Sequence, residues 1–358
     1  MRCMAGKPTL LAALALAASV VPGTADEPLR IGIAGMSHGH VAGLLAAARD
    51  RADLQIVGVW ETDARLFDRL ADAYGLDASL RHDELGEMLD ACKPEAVSGM
   101  GSIRSHRKVV EACAPRRIPV LLEKPLAFSI EDADRCVELS EQYGTPILTN
   151  YETSWYASVH EAERIARSGE YGDIIRMVFR HGHRGPWEIG CSSEFLRWLT
   201  DPKENGGGAV IDFGCYGAVI ATRLMDGQKP ESVQAVRRQI KTGIYPDVDD
   251  DATILLAYPH TTAVIEASWN WPHDLKEMDI YLSGASLHAG KWDALSLRKS
   301  GEAEATPLAP PPVRPFGDEW SYLKAVAHDG AEIEPLSSLP VNHTVVWILD
   351  QARKVPMK

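Results

Sequence analysis

Between Leu29 and Asn150, short apolar runs alternate with amphipathic stretches. The runs are LRIGIAG, QIVGVWE, AVSGMG, PVLLEK and PILTN. Between them, HVAGLLAAARDR, ARLFDRLADAYG, DELGEMLDAC, SHRKVVEACAP and SIEDADRCVELSEQYG carry apolar residues at helical spacing. Apolar strands separated by amphipathic helices predict a parallel sheet covered on both faces. A doubly wound sheet of this kind takes its ligands at the carboxyl ends of its strands.

The period changes after Tyr151. A helix, SVHEAERIARSG, leads into the strand DIIRMVFRHGH, a glycine-rich segment and the helix YGAVIATRLMDG. SVQAVRRQI, ATILLAY, TAVIEASWNW and MDIYLSG then alternate apolar and polar positions, which predicts an open, mostly antiparallel sheet. A proline-rich loop, PLAPPPVRPFG, precedes the helices DEWSYLKAVAHDG and NHTVVWILDQARKV, and the last helix has an apolar face suited to packing on the first domain. The expected organisation is a doubly wound α/β domain over 27–150 and a second α/β domain over 151–358.

Composition adds bounds. The 358 residues allow two domains, and 45% hydrophobic with 24% charged residues is ordinary for a folded chain. A net charge of −13 argues against nucleic acid or an anionic membrane as partner. Arg116-Arg117 and Arg237-Arg238 are too short to reverse that and read as solvated surface. Arg2, Lys7, the apolar Thr9–Val21 and the small residues Gly23-Thr24-Ala25 have the pattern of a secretory leader over 1–25. Export to the periplasm, with no membrane association after cleavage, is the expectation. Beyond Cys3 in that leader, Cys92, Cys113, Cys136, Cys191 and Cys215 lack the spacing of a disulfide framework or a C-x-x-C metal site.

Three segments carry candidate chemistry. In IGIAGMSHGHV (Ile31–Val41), a strand ends at Gly35 and a helix follows, as in a dinucleotide-binding turn. Amides at the helix start, over Met36, Ser37 and His38, are placed to bind phosphate oxygens. Ser37 and His40 replace the second and third glycines, and His40 implies looser packing or a side chain facing the ligand. Glu61, ending the second strand, suits a ribose 2′-hydroxyl, and with no arginine beside it NAD is favoured over NADP. Glu123-Lys124-Pro125 ends another strand, where the lysine can reach a substrate hydroxyl and the nicotinamide. Pro125 fixes the turn and is a site for a cis bond. Third, NGGGAVIDFGCYG sets Asp212 and Tyr216 four apart on one helical face. A nearby ammonium would lower the Tyr216 pKa and make it a usable acid/base.

The GIAG turn, EKPLA and GGGAVIDFGCYG together resemble the Gfo/Idh/MocA oxidoreductases over nearly the whole mature chain. The resemblance implies a Rossmann domain, a C-terminal domain on an open sheet, a nicotinamide cofactor and a sugar or polyol substrate. By position, Lys124 would contact substrate and nicotinamide ribose, Asp212 would orient the polyol and Tyr216 would transfer the proton. Most relatives have histidine at the Tyr216 position; tyrosine is similar to the glucose–fructose oxidoreductase branch, which is also exported. Asn150, Tyr156, His181, His183 and Trp187 are candidate pocket residues, with Trp155, Trp269 and Trp271 as further stacking surfaces. His181 and His183 share a strand face but lack a third metal ligand, and DVDDDA lacks the pattern of a calcium loop, so no metal is expected. The open sheet face is a possible oligomer surface by analogy.

Export bears on the reaction, because a dissociable NAD would not be replenished outside the cytoplasm. A tightly bound cofactor would be recycled by oxidising one sugar and reducing another. Alternatively, it would serve redox-neutral glycoside cleavage, with His181, His183 or Tyr156 as the base near C2. A binding protein that keeps the fold without turnover is the reading from a different class.

Overall fold

The computed structural model describes residues 27–313 and 315–358. The leader read over 1–25 lies outside the described residues. The first half runs β1 (Leu29–Ala34), α1 (Val41–Asp50), β2 (Leu54–Trp60), α2 (Ala64–Tyr74), β3 (Arg81–His82), α3 (Leu85–Cys92), β4 (Ala96–Gly99), α4 (His106–Cys113), β5 (Val120–Glu123), α5 (Ile130–Tyr143) and β6 (Ile147–Asn150). These strands form one parallel sheet in the order β3-β2-β1-β4-β5-β6. The order reverses at β1, between β2 and β4, which opens a crevice above their carboxyl ends. Apolar runs are buried throughout β4, β5 and β6. Asp63 caps α2 through the Arg65 and Leu66 amides, and Gly75 ends that helix at φ 75°.

The second half runs α6 (Ala157–Arg167), β7 (Ile174–Gly182), α7 (Ser193–Leu199), α8 (Ala209–Asp212), α9 (Gly214–Leu224), β8 (Ser232–Arg238), β9 (Asp251–Ala257), β10 (Thr262–Ser268), β11 (Leu275–Leu282), β12 (Ala285–Ala289), β13 (Leu295–Lys299), β14 (Thr306–Leu308), α10 (Glu319–Asp329) and α11 (Leu339–Arg353). Its sheet has the order β14-β13-β12-β11-β7-β10-β9-β8. Only β7 and β10 pair parallel among these strands. The fold class read from the sequence is the one observed. β3, α7 and β12–β14 are additions, because their segments are short or too polar to carry a period.

α9 is apolar nearly all round and lies buried in the larger core, under the inner face of the second sheet. After β14 the chain returns to the first sheet. Trp320, Tyr322, Leu323 and Val326 of α10 join one core beside that sheet, and Val346 of α11 joins the other. α11 also packs on α9 and β8, so it clamps the two halves together. Arg237 corrects the surface reading of Arg237-Arg238. Its guanidinium is buried, bonded to Asp249 Oδ1 at 2.6 Å and to the Arg353 and Val355 carbonyls.

Candidate functional site

β5 delivers Lys124 at its carboxyl end, where the Lys124–Pro125 peptide is cis. The buried ammonium donates to Asp212 Oδ1 at 2.5 Å and to the Asp212 carbonyl at 3.0 Å. Trp269 Nε1 donates to the other carboxylate oxygen at 2.9 Å, so Asp212 is held from both sides. The glycine run explains how α8 reaches this point. A Cβ on Gly208 would stand 1.8 Å from the Asp249 carbonyl oxygen. The buried Asp249 carboxylate accepts from the Gly208 and Val210 amides at 3.1 and 2.7 Å and pairs with Arg237. Burial works against charge on both members of the Lys124–Asp212 pair. Their attraction prevails: Lys124 is pushed up to about 12 and the Asp212 carboxyl sits below the usual carboxylate range.

Tyr216 lies beside this pair, with the Lys124 and Lys276 ammoniums 5.2 and 5.4 Å from its ring centre. Burial, then the negative Glu152, push its phenol well above the ordinary value. The expected lowering by lysine is therefore corrected. Lys124 spends its charge on Asp212 and sits over the ring face. His181 packs edge-on against Tyr216, with ring centres 5.7 Å apart, and burial drops its pKa to about 3. A histidine depressed in the fold binds its proton more readily when unfolded. Its contribution is thus present above the unfolded value near 6.5 and lost as pH falls below it. His181→Gln is expected to remove about 2 kcal/mol of the stability lost between pH ~7 and ~5, as read by denaturant titration at both values. An unchanged pH slope would contradict the buried, neutral imidazole.

A cavity of about 340 Å³ is lined by Glu152, Tyr156, His183, Phe213, Lys276 and Trp292 among others; Asp212 and Tyr216 stand behind that lining, next to Phe213 and Lys276. The Lys276 ammonium and the Tyr156 hydroxyl both donate to the Glu152 carboxylate. His183 stacks its edge on Phe213 and takes the Gly185 amide on Nδ1 at 3.0 Å, which leaves Nε2 protonated. Of the expected pocket residues, Tyr156 and His183 line this cavity. Asn150 is spent on Glu123 and Trp155, His181 is buried behind Tyr216, and Trp187 is exposed outside the lining. The sequence reading missed Glu152, Lys276, Trp292 and the role of Trp269. Glu152 lies between Asn150 and Tyr156, both expected in the pocket, so that proximity was the available signal. The Asp249–Asp251 carboxylates accept from backbone amides, Arg237, Asn270 and Ser268, as a polar turn does.

At the glycine turn, Gly35 has φ 81°, and a Cβ there would stand 2.8 Å from Gly101 Cα. Only glycine lets the two chains cross this closely. Met36 N donates to Glu61 Oε2 at 2.8 Å and Asp63 N to Oε1 at 2.9 Å. Glu61 therefore braces the loop, keeping its remaining lone pairs for a ribose. An arginine does stand beside it: Arg81 Nη1 donates to the Glu61 carbonyl at 2.9 Å and is paired with Asp83. That corrects the basis on which NAD was preferred. The Ser37 carbonyl accepts from Trp198 Nε1 at 3.4 Å, and the His38 amide donates to the Met100 carbonyl at 2.9 Å. The buried His38 ring lies against Phe195 and Trp198 of α7. His40 caps α1 by position and turns its ring to Glu123, with Nδ1 3.1 Å from Oε2. The side chain thus faces the crevice, one of the two outcomes expected for histidine here. The Met36, His38 and His40 amides are thus bonded to Glu61 Oε2, the Met100 carbonyl and His38 Nδ1, which corrects the reading of this turn as a row of free phosphate donors; the obligatory glycine and Glu61 fit a dinucleotide.

Residues 29–151 match the oxidoreductase family with an NAD-binding Rossmann fold, and residues 159–288 match the GFO/IDH/MocA C-terminal domain. The chain belongs to the Gfo/Idh/MocA oxidoreductase family. Among curated relatives, bovine (Bos taurus) trans-1,2-dihydrobenzene-1,2-diol dehydrogenase is 25% identical, over 70% of this chain and 73% of its own length. D-xylose 1-dehydrogenase (NADP+) of Haloarcula marismortui is 24% identical, over 83% of each chain. The fold is also that of an inositol dehydrogenase homolog from Azotobacter vinelandii, complexed with NADH and myo-inositol. The TM-score is 0.75 at 15% identity, over 92% of this chain and 95% of that one. This Gfo/Idh/MocA member is an oxidoreductase whose Rossmann crevice meets the Lys124–Asp212 pair.

Proposed function

We propose that the chain transfers hydride between a carbinol carbon of a sugar or related polyol and a tightly held NAD or NADP. The observation that carries this reading is the buried Lys124–Asp212 pair beside Tyr216 at the carboxyl end of β5, with the adjacent Phe213 lining a cavity that also holds Glu152, His183 and Lys276. When bound, the nicotinamide supplies the hydride acceptor; the residues to hold it are Gly35, Met36, Ser37, His38, His40, Glu61 and the segment Glu123 to Pro125. Lys124 binds and orients the reacting hydroxyl, and Asp212 fixes Lys124 and a neighbouring hydroxyl. Tyr216, beside the Lys124 ammonium, is placed to transfer a proton with the substrate oxygen, and its raised phenol means that the transfer needs the substrate or cofactor charge to offset burial. His183 offers an Nε2–H to a substrate oxygen, and Trp292 a face for a pyranose ring.

A second reading, redox-neutral glycoside cleavage, is favoured by one observation. Glu152 and its donors Tyr156 and Lys276 form a second acid/base group on the cavity wall. The leader pattern over 1–25 supports export to the periplasm. Denaturing the purified protein and assaying for released NAD(H), followed by NAD titration of the native chain, tests the cofactor reading. Neither release nor affinity would overturn both enzymatic readings and favour a binding protein.

A further inference from the structure

His38 and His40 of the nucleotide-binding turn meet Glu123 at the end of β5. Each offers one ligand-type atom, and the three atoms lie within 4.8 Å of one another. Among the described residues, this is where three such atoms converge. Nδ1 of His40 is 3.1 Å and Nε2 of His38 is 4.0 Å from Oε2 of Glu123. Tetrahedral zinc with bonds near 2.0 Å needs ligand–ligand spacings of about 3.3 Å, which the His40–Glu123 pair nearly meets and towards which the His38 ring must move.

The surroundings suit a cation. Glu123 Oε2 is buried and faces His40 Nδ1 at 3.1 Å, while Oε1 accepts from Asn150 Nδ2 at 3.2 Å. That bond aims Oε2 at the imidazoles, as outer partners of metal-binding carboxylates do. His38 is fixed by Phe195 and Trp198, and His40, with nearly half its side chain exposed, gives a path from solvent. Two imidazoles and one carboxylate are borderline ligands that favour zinc over calcium or magnesium. The His38 ring also accepts the His40 amide on Nδ1 at 3.1 Å, so coordination through Nε2 moves its proton to Nδ1 and gives up that contact.

We propose that His38, His40 and Glu123 form a zinc-class divalent cation site at the mouth of the Rossmann crevice, with its fourth position open. These residues are also among those proposed to hold the cofactor, so zinc is titrated into the NAD-free chain. The test is calorimetric titration of the chelator-treated, tag-free chain with zinc sulfate alone, compared with His40→Ala, Glu123→Gln and His343→Ala. The expected result is one ion per chain, with affinity reduced at least about 10-fold in His40→Ala and Glu123→Gln. His343, a surface histidine paired with Asp134, is the control, and its replacement leaves binding unchanged. Thermal melts without zinc check that each variant is folded. No uptake by the wild-type chain, or equal affinity in His40→Ala, would overturn the site. A parallel NAD titration reads the cofactor separately.

Discussion

Lys124→Met is expected to lower kcat by about 10²–10³-fold, the range for losing one preorganised charged donor at a reacting oxygen. The replacement keeps most of the side chain's volume and removes both ammonium bonds to Asp212. Asp212 keeps the Trp269 indole N–H, so the carboxyl remains in place while losing the charge that held it ionised. Rate should fall far more than apparent substrate affinity, because an alkoxide-stabilising charge acts mainly in the transition state. Steady-state kinetics on a turned-over sugar check this. A kcat within threefold of wild type would remove Lys124 from the chemistry.

Asp249→Ala should be the most destabilising single change near the site, by about 3–5 kcal/mol, because it leaves a buried guanidinium uncompensated. Asp249 is fully buried, pairs with Arg237 of β8 and receives two amides at the start of α8. Its loss also loosens the segment that carries Asp212. Asp249→Asn keeps acceptors for the amides while losing the ion pair, so it should fall between alanine and wild type. Denaturant unfolding of the three proteins gives the order directly. A loss below about 1 kcal/mol for alanine would show that α8 is held by other contacts.

The elements were legible where periodicity was strong. Continuous apolar runs located the parallel strands, and Lys124, Asp212 and Tyr216 were visible because each stands in a short motif beside glycine or proline. What escaped detection depends on distance along the chain. Arg237 belongs with Asp249 and the carbonyls near the C-terminus, so two adjacent arginines gave no sign that one is buried. Trp269 reaches Asp212 from 57 residues away, and Lys276 reaches Glu152 from 124. The environment of Tyr216 was misjudged for the same reason. Proximity to lysine was foreseeable, whereas the competing bond to Asp212 and the depth of burial were not. His40 was seen as a missing glycine, and only the fold sets it against Glu123 at the end of β5.

The most direct test of the central claim is a single turnover. The native chain, loaded with NAD, is mixed with a panel of aldoses and cyclitols while reduced-nicotinamide absorbance is followed. The account predicts formation of reduced nicotinamide with at least one sugar, and its collapse in Lys124→Met with NAD still bound. Reduction that proceeds equally well in Lys124→Met, or NAD that binds and is reduced by none of the panel, would contradict it.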